Sequence, residues 1–250
     1  MNYSLLRYPG GKTKAINQLK NFIPKNTKEI CSPFFGGGSF ELYLSTQGIR
    51  IHGYDNFELL VNFWQCVGEN PWRLSSEVQK FYPLSKEGFY DIQKNISLGK
   101  DKWIQSAMFY ALNRSSFSGM GLSGGMSPNH PRFNQNSIDR IENFIYEFTI
   151  EKLSFEESIK KHDCLIYADP PYFIDEKLYG TKGNLHTGFN HNLLAEILNE
   201  RGNFILSYNN SEEVRELYKN HTFHYPEWKY GLGNDKNSRE ILIVSKDIKL

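Results

Sequence analysis

The amino-acid sequence predicts an α/β fold in which a mostly parallel sheet is covered by helices on both faces. Five short β-like runs lie towards the two ends of the chain. Residues 28–31 lead into a glycine-rich turn and residues 49–54 alternate, while residues 164–168, 203–208 and 241–245 have the apolar character of buried parallel strands. Helical spacing of apolar residues appears between them, at residues 40–44 and 191–198. Strands that alternate with helices indicate a parallel sheet.

The middle of the chain predicts an inserted helical lobe. Residues 103–112 (WIQSAMFYAL) are typical of a buried helix, and a stretch rich in Gly, Ser, Asn and Pro follows at residues 113–131. So long a loop within a compact domain is usually functional or mobile. We therefore expect one α/β domain, formed by residues 1–59 and 152–250, that is interrupted by a helical insertion at residues 60–151.

The composition excludes several classes of protein. Of the 250 residues, 39% are hydrophobic and 15% aromatic, which favours a packed core over disorder. The chain has no run of about 18 apolar residues and no signal-peptide pattern, so we expect an intracellular protein outside the membrane. Cys31, Cys66 and Cys164 match neither a disulfide framework nor a zinc site. The net charge of +1 neither requires nor excludes a nucleic-acid partner.

The strongest chemical signal is Asp169-Pro170-Pro171-Tyr172, directly after the run at residues 164–168. Open α/β sheets bind ligands at the carboxyl ends of their strands. Proline has no backbone donor, so carbonyl oxygens here are free to accept hydrogen bonds, and an amine has hydrogens to donate. A carboxylate, a carbonyl and an aromatic face therefore indicate a pocket for an amine-bearing base. The alternative is a simple Pro-Pro turn capped by Asp169, with Tyr172 as its lid.

Two weaker signals lie earlier in the chain. The turn Pro33-Phe34-Phe35-Gly36-Gly37-Gly38-Ser39 lies between a predicted strand and a predicted helix, where glycine lets the backbone approach a ligand closely. Asp55 ends the next strand, and an acid about 20 residues after a glycine turn can bind ribose hydroxyls. Taken singly, these features favour a plain turn and a solvated surface acid.

The segment Gly11-Lys12-Thr13 suggests a phosphate loop, but its context argues against one. That motif needs a glycine five residues before Gly11, where Leu6 stands, and no strand precedes it. The sequence therefore disfavours a nucleotide hydrolase.

In their order along almost the whole chain, these motifs resemble the Dam-type family (D12 class, alpha group) of DNA adenine-N6 methyltransferases. Tyr8-Pro9-Gly10-Gly11-Lys12 is similar to the family's N-terminal cofactor motif, and the glycine turn, Asp55 and Asp169-Pro170-Pro171-Tyr172 are similar to its glycine motif, ribose-binding acid and catalytic motif. Asn113-Arg114 with Phe117-Ser118-Gly119 resembles the segment that enters DNA. Similarity to further pocket segments and to the closing strand is found at Phe189-Asn190-His191, Leu206-Ser207-Tyr208-Asn209 and Arg239-Glu240-Ile241-Leu242-Ile243.

The resemblance implies a Rossmann-like SAM-dependent methyltransferase sheet with an inserted, mainly helical DNA-recognition lobe. It implies S-adenosylmethionine (SAM) as cofactor, no metal, and double-stranded DNA as partner; a cognate restriction endonuclease and the oligomeric state stay open. The implied catalytic residues are Asp169, Pro170 and Tyr172. The implied cofactor contacts are Tyr8, Gly10, Gly11, Lys12, Pro33, Phe34, Gly36, Gly38, Ser39, Asp55 and Asp169. The implied DNA contacts are Asn113, Arg114, Phe117, Ser118, Met120 and Arg132.

The implied reaction takes place on an adenine that is rotated out of the duplex. Tyr172 is expected to stack on this base, while the Asp169 carboxylate and the Pro170 carbonyl accept hydrogen bonds from its N6 amine. These bonds orient the nitrogen lone pair and stabilise the positive charge that develops there, so positioning supplies most of the catalysis in a direct in-line transfer.

The implied DNA contacts have structural alternatives. Arg114 and Arg132 are candidates for phosphate contacts, although Arg114 equally suits bracing the loop and Arg132 pairing with a carboxylate. Phe117 and Met120 are candidates for wedges in the base stack, or else for packing within the loop.

Two positions depart from the family pattern. An acidic residue usually precedes the glycine motif, whereas Ser32 stands here, so the charge expected near the methionine end of the cofactor is missing. Members that read GATC carry an arginine shortly after the Asn-Arg pair, whereas Leu122 is the nearest equivalent here. Leucine cannot donate to guanine. The sequence therefore predicts a target other than GATC.

Two other functions use similar motifs. A cytosine-N4 or RNA adenine-N6 methyltransferase presents an exocyclic amine to a similar pocket, but the motif order, the position of the insertion and Asp169 in place of serine favour adenine in DNA. A catalytically inactive DNA-binding relative is disfavoured because Asp169, Tyr172 and Asp55 are intact.

Overall fold

A computed structural model describes residues 3–97, 101–127, 132–172, 188–226 and 240–249. In these ranges the strands are β1 (Glu29–Ser32), β2 (Arg50–Asp55), β3 (Thr149–Lys152), β4 (Leu165–Ala168), β5 (Phe204–Asn209), β6 (Thr222–His224) and β7 (Glu240–Val244). The helices are α1 (Ile16–Leu19), α2 (Ser39–Thr46), α3 (Glu58–Glu69), α4 (Pro71–Gln79), α5 (Lys86–Asn95), α6 (Lys102–Ser115), α7 (Gln135–Glu142), α8 (Phe155–Lys161), α9 (His191–Arg201) and α10 (Glu212–Leu217).

The seven strands form one sheet in the order β3-β2-β1-β4-β5-β7-β6. The strands from β3 to β5 pair in parallel, and β7 runs antiparallel to both of its neighbours, β5 and β6. The chain winds outward from β1 to β3, then returns to place β4 on the other side of β1. Ligands of open α/β sheets bind at such a reversal, outside the carboxyl ends of the strands. The predicted Rossmann-like sheet is confirmed.

Helices cover both faces of this sheet, as predicted. The two faces are visible along β4, where Leu165 and Tyr167 point into one apolar core and Ile166 and Ala168 into the other, with the period of two that a strand imposes. Residues of α1, α2 and α3 pack in the first core, and residues of α8, α9 and α10 pack in the second.

The two edge strands, β3 and β6, do not correspond to any predicted strand. In β3 only Ile150 is buried, and no residue of β6 is fully buried, so neither has the apolar run that marks a central strand. Pairing with β2 and β7 forms them instead. Because β3 begins at Thr149, the sheet uses residues from the end of the range expected for the insertion; the domain division itself stays a prediction.

The segment from α3 to α7 lies between β2 and β3. The α3 helix packs against both β2–β3 and α6, while α4 packs against α6 and α7. Most of the predicted residues 103–112 are buried in α6, although Ile104 is exposed, and the helix continues to Ser115, so Asn113 and Arg114 lie in its last turn and not in a loop. No helix in the described ranges is long and apolar enough to cross a membrane.

Candidate active site

The glycine turn between β1 and α2 needs glycine at two positions. Gly36 and Gly38 have φ values of 49° and 62°, in the left-handed region. A Cβ atom would lie 2.9 Å from the Tyr8 ring at Gly36, and 2.6 Å from the Phe35 ring at Gly38. The turn thus lies directly against the half-exposed ring of Tyr8, so the N-terminal motif and the glycine motif are in contact.

Asp55 at the end of β2 braces this turn. Its Oδ2 accepts a hydrogen bond from the Gly36 amide at 3.0 Å, and its Oδ1 accepts one from the Phe57 amide at 2.9 Å. Burial raises the pKa of Asp55, and the amide hydrogen bonds oppose this effect. A carboxylate has about four acceptor positions, so two remain for the hydroxyls of a ribose.

Lys12 joins the N-terminal motif to the catalytic motif. Its Nζ donates to Oδ1 of Asp169 at 2.8 Å and to the hydroxyl of Tyr172 at 2.9 Å, and it lies 5.3 Å from the centre of the Tyr172 ring. Lys12 is only 3% exposed. Its ammonium is therefore held by the two side chains that were expected to act on the substrate base. Burial raises the pKa of Asp169, while the ion pair with Lys12 lowers it.

Two buried glutamates complete the surroundings of Lys12, and sequence reasoning gave neither of them a role. Glu240, at the start of β7, lies with its Oε1 3.5 Å from the Lys12 Nζ. Glu41, in the first turn of α2, accepts a 2.8 Å hydrogen bond from the Ser32 hydroxyl. Burial raises the pKa of each carboxyl group to about 7. Glu41 had a detectable signal, since it interrupts an otherwise apolar helix start (SFELYL).

An aromatic wall stands beside Asp169. The rings of Tyr172 and Tyr208 are stacked with centroids 6.2 Å apart, and the Tyr208 hydroxyl contacts Nδ1 of His191. Phe189 packs edge-on against Phe34, with ring centroids 5.6 Å apart. Tyr208 therefore connects the segment around residues 206–209 to Tyr172 of the catalytic motif, and His191 connects to it through Tyr208.

Asn113 clamps the N-terminal segment to the insertion. Its Oδ1 accepts from the Arg7 amide at 2.9 Å, and its Nδ2 donates to the carbonyls of Arg7 at 2.8 Å and Gly119 at 3.0 Å. A Cβ atom on Gly119 would overlap the Arg7 carbonyl oxygen, so the chains approach as closely as glycine allows. Asn113 is 3% exposed. Its amide is thus used within the protein.

Several arginines gather beside this clamp. Arg114 donates from Nε to the Arg132 carbonyl at 2.9 Å, Arg7 donates to the Ser116 carbonyl at 2.6 Å, and Arg140 donates to the Ser4 carbonyl at 2.7 Å. Burial and the charges of Arg132 and Arg114 lower the pKa of Arg7. Across the described ranges, no ion pair joins Arg7, Arg114 or Arg132 to a carboxylate. This arginine cluster was only half predicted, since Arg7 and Arg140 were not named.

The loop after α6 presents apolar side chains to solvent. Phe117 is 62% exposed, and Met120 and Leu122 are also exposed. The loop is closed by a bridge between Ser116 and Met126. The side chain of Ser118 and the whole of Arg239 lie outside the described residues.

The residues at the reversal of the sheet suit SAM. The glycine turn allows close backbone approach, and the Asp55 carboxylate can accept hydrogen bonds. The other residues predicted to contact the cofactor lie close to one another: Gly10 accepts from Lys12, Ser39 accepts from Thr13, and Gly11 lies close to Ser39. In the described ranges no group of three His, Cys, Asp or Glu residues could hold a metal ion.

Comparison with known proteins agrees with this geometry. The family described as D12 class N6 adenine-specific DNA methyltransferase matches residues 8–232. The chain is 24% identical to the retron Ec67 DNA adenine methylase of Escherichia coli, over 97% of this chain and 91% of that protein. It is 24% identical to the type II methyltransferase M.MjaIII of Methanocaldococcus jannaschii, over 67% and 68%. It is 25% identical to the DNA adenine methylase of Escherichia coli K12, over 68% and 65%.

Proposed function

The chain belongs to the D12 class of N6 adenine-specific DNA methyltransferases, which methylate adenine N6 with SAM, and we propose that Asp169, Pro170 and Tyr172 perform this reaction. The observation that carries the proposal is the 2.8 Å contact between the Lys12 Nζ and Asp169 Oδ1, beside the Tyr172 ring. It marks a place where a nitrogen with hydrogens to donate is held by the carboxylate and lies close to an aromatic ring. The N6 amine of a flipped adenine has these properties.

The chemistry follows from this arrangement. SAM, when bound, would supply the methyl group. Asp169 and the Pro170 carbonyl would accept hydrogen bonds from the two N6 hydrogens, which directs the nitrogen lone pair away from them and stabilises its developing positive charge. After the N–C bond has formed and the methyl–sulfur bond has broken, the nitrogen would lose one of these protons to water. Tyr172, with Tyr208 behind it, holds the plane of the base. When the amine approaches, the Lys12 ammonium can leave Asp169 and still be paired with the carboxylate of Glu240.

The cofactor would lie along the glycine turn. We propose that Asp55 accepts the ribose hydroxyls while its amide hydrogen bonds keep the turn in register. Tyr8, which lies on Gly36, would cover the cofactor from the N-terminal side, and Phe34 would face it from β1. Pro33, Gly38 and Ser39 would contribute close backbone approach.

The DNA would lie across the arginine cluster (Arg7, Arg114, Arg132 and Arg140). Arg7, Arg114 and Arg132 have no ion pair with a carboxylate among the described residues, which favours phosphate contacts for their guanidinium groups. Phe117 and Met120 project nearby and suit entry into the base stack. Because the Asn113 amide is already bonded to Arg7 and Gly119, we propose that Asn113 holds the loop in place for these contacts.

Methyl transfer from radiolabelled SAM tests the proposal. The substrates are unmethylated DNA of mixed sequence, which contains many different short sites, and an RNA of the same sequence, and the labelled nucleosides are separated after digestion. Label in N6-methyladenine from adenine-containing DNA alone is expected. Label in N4-methylcytosine or in RNA would instead support the competing enzymes, and SAM binding without transfer to any substrate would support an inactive relative. As two relatives are named type II methyltransferases, we further propose a cognate endonuclease that cuts the same site when it is unmethylated.

A further inference from the structure

Among the residues that the structure describes, the buried part of the candidate active site has three carboxyl groups, Asp169, Glu240 and Glu41, and one ammonium group, that of Lys12. Asp169 and Glu240 share Lys12, at 2.8 Å and 3.5 Å from its Nζ. The third carboxyl group, Glu41, is only 4% exposed and is hydrogen-bonded to the neutral hydroxyl of Ser32. Buried charges are normally paired, because leaving water is costly for them. Among the described residues, the lysine that acts on Glu41 is Lys12, and Lys12 is already paired with Asp169 and Glu240.

The position of Glu41 is set by two elements that form the cofactor wall. Ser32 is the last residue of β1, immediately before the glycine turn, and it is fully buried. Glu41 lies on the other side of the turn, in the first turn of α2. Their hydrogen bond therefore holds a carboxyl group against the end of β1, at the place where the sequence has a hydroxyl.

A second polar group in the same region lacks a partner. The hydroxyl of Tyr167 is buried, and among the described residues nothing is hydrogen-bonded to it. Its ring packs on Phe40, the neighbour of Glu41, with centroids 4.8 Å apart. The charges of Asp169, Lys12, Glu41 and Glu240 all act on this hydroxyl. A ligand group that donates hydrogen bonds and carries positive charge would satisfy Tyr167 and Glu41 together.

We propose that Glu41, held by Ser32, binds the α-ammonium group of the methionine moiety of SAM, with the Tyr167 hydroxyl as a second contact. The proposal rests on the proposed function. An ammonium group supplies both missing features, a positive charge for Glu41 and hydrogens for acceptors. The serine that precedes the glycine turn then does not remove the acid from the cofactor site, because the acid has moved to α2 and the serine has become its hydrogen-bond donor.

Calorimetry with two ligands tests this role. The ligands are S-adenosylhomocysteine and its deaminated analogue, which keeps the adenosine, thioether and carboxylate but has hydrogen in place of the α-ammonium group. Wild type is expected to prefer S-adenosylhomocysteine by about tenfold to a hundredfold, the scale of a hydrogen bond to a charged group. Glu41→Gln should lose most of that preference while binding the analogue within about twofold of wild type. Glu58→Gln, which changes an exposed glutamate in the first turn of α3, is the matched control and should keep it.

A charge relocation separates binding from folding. The double variant Ser32→Asp with Glu41→Gln returns the acid to the end of β1 and should restore the preference. The inference would be overturned if Glu41→Gln kept the full preference for S-adenosylhomocysteine over the analogue. It would also be overturned if the double variant folded but showed no such preference. Should Glu41→Gln fail to fold, the double variant decides by itself. If folded wild type binds neither ligand, the proposed function is contradicted. If wild type transfers methyl groups and Glu41→Gln has the same ligand preference as wild type, only the role of Glu41 is contradicted.

Discussion

The Nζ of Lys12 lies 2.8 Å from Oδ1 of Asp169, although 157 residues separate them in the chain. The contact links the segment before β1 to the end of β4. The strands β1 and β4 are neighbours in the sheet. It holds the carboxylate of Asp169 in a fixed place and balances its charge in the absence of a substrate. The same contact means that a substrate amine must displace or share the lysine.

Replacing Asp169 should separate catalysis from binding. In Asp169→Ala the acceptor for the N6 hydrogens is lost, so methyl transfer should stop, while SAM and DNA should bind within about tenfold of wild type, or about 1.4 kcal/mol. The variant should fold, since Glu240 remains 3.5 Å from Lys12. Single-turnover transfer and separate titrations measure the two effects. Turnover above about a few per cent of wild type would remove Asp169 from the chemistry.

Replacing Asp55 should weaken cofactor binding. Asp55→Ala removes the acceptor of the Gly36 and Phe57 amides and, by our proposal, that of the ribose hydroxyls. SAM affinity should fall by about 1.5–3 kcal/mol, as expected for hydrogen bonds to a charged group. Calorimetry measures the loss, with Asp91→Asn, an exposed helix position, as control. Unchanged SAM binding would leave Asp55 only its bracing role.

The buried glutamates should make stability fall as the pH rises. Burial raises the folded-state pKa of Glu41 from 4.5 to about 7. Between these values the folded protein binds more protons than the unfolded chain, so the free energy of unfolding decreases with rising pH, by up to about 1.4 kcal/mol per pH unit for one group. Glu240 acts in the same direction, and Lys12 opposes both effects.

Glu41→Gln should therefore show a flatter pH dependence than wild type. Urea unfolding at about pH 5 and about pH 7 measures the difference, which has this sign because glutamine has no proton to lose. Glu58→Gln again serves as the control, and its curve should be parallel to that of wild type. Parallel curves for Glu41→Gln and wild type would show that the carboxyl group of Glu41 titrates normally.

Two arginines of the cluster should differ in what they support. Arg132 is exposed, so Arg132→Ala should weaken binding to all DNA sequences alike and reduce the slope of log K against log salt by about 1. Arg114 is more buried and donates to backbone carbonyls, so Arg114→Ala should mainly lower the melting temperature. Salt titrations of DNA binding measure the effect of Arg132→Ala, and thermal melts measure that of Arg114→Ala. An unchanged salt slope for Arg132→Ala would exclude its phosphate contact.

The exposed side chain of Leu122 bears on the choice of sequence. A bidentate arginine–guanine pair is worth about 1–3 kcal/mol against a wrong base, and leucine cannot form one, though it can pack on a thymine methyl group. We expect the loop around Leu122 to read a short adenine-containing site other than GATC. Single-molecule sequencing of DNA from expressing cells measures the context. Modification confined to GATC would show that another residue, with Arg132 the first candidate, contacts the guanine.

The sequence by itself determined the central strands and the motifs at their ends. The runs at residues 28–31, 49–54 and 164–168 became β1, β2 and β4, and the glycine turn, Asp55 and Asp169 lie where those strands end. These features are local: a strand is marked by apolar or alternating residues that are neighbours in the chain, and a tight turn needs glycine at the residues with positive φ. A pattern of neighbouring residues contains that information.

Only the tertiary structure decided which distant residues meet. The order β2-β1-β4 brings Lys12 to Asp169, and the packing of α2 on the end of β1 turns Glu41 towards Ser32. The close approach of Gly119 to Arg7 lets the Asn113 amide bond to both segments, a contact that the motif does not encode. The partner of a buried charge or amide depends on which residues the sheet brings close to it. Side-chain type and local spacing in the sequence do not contain that information.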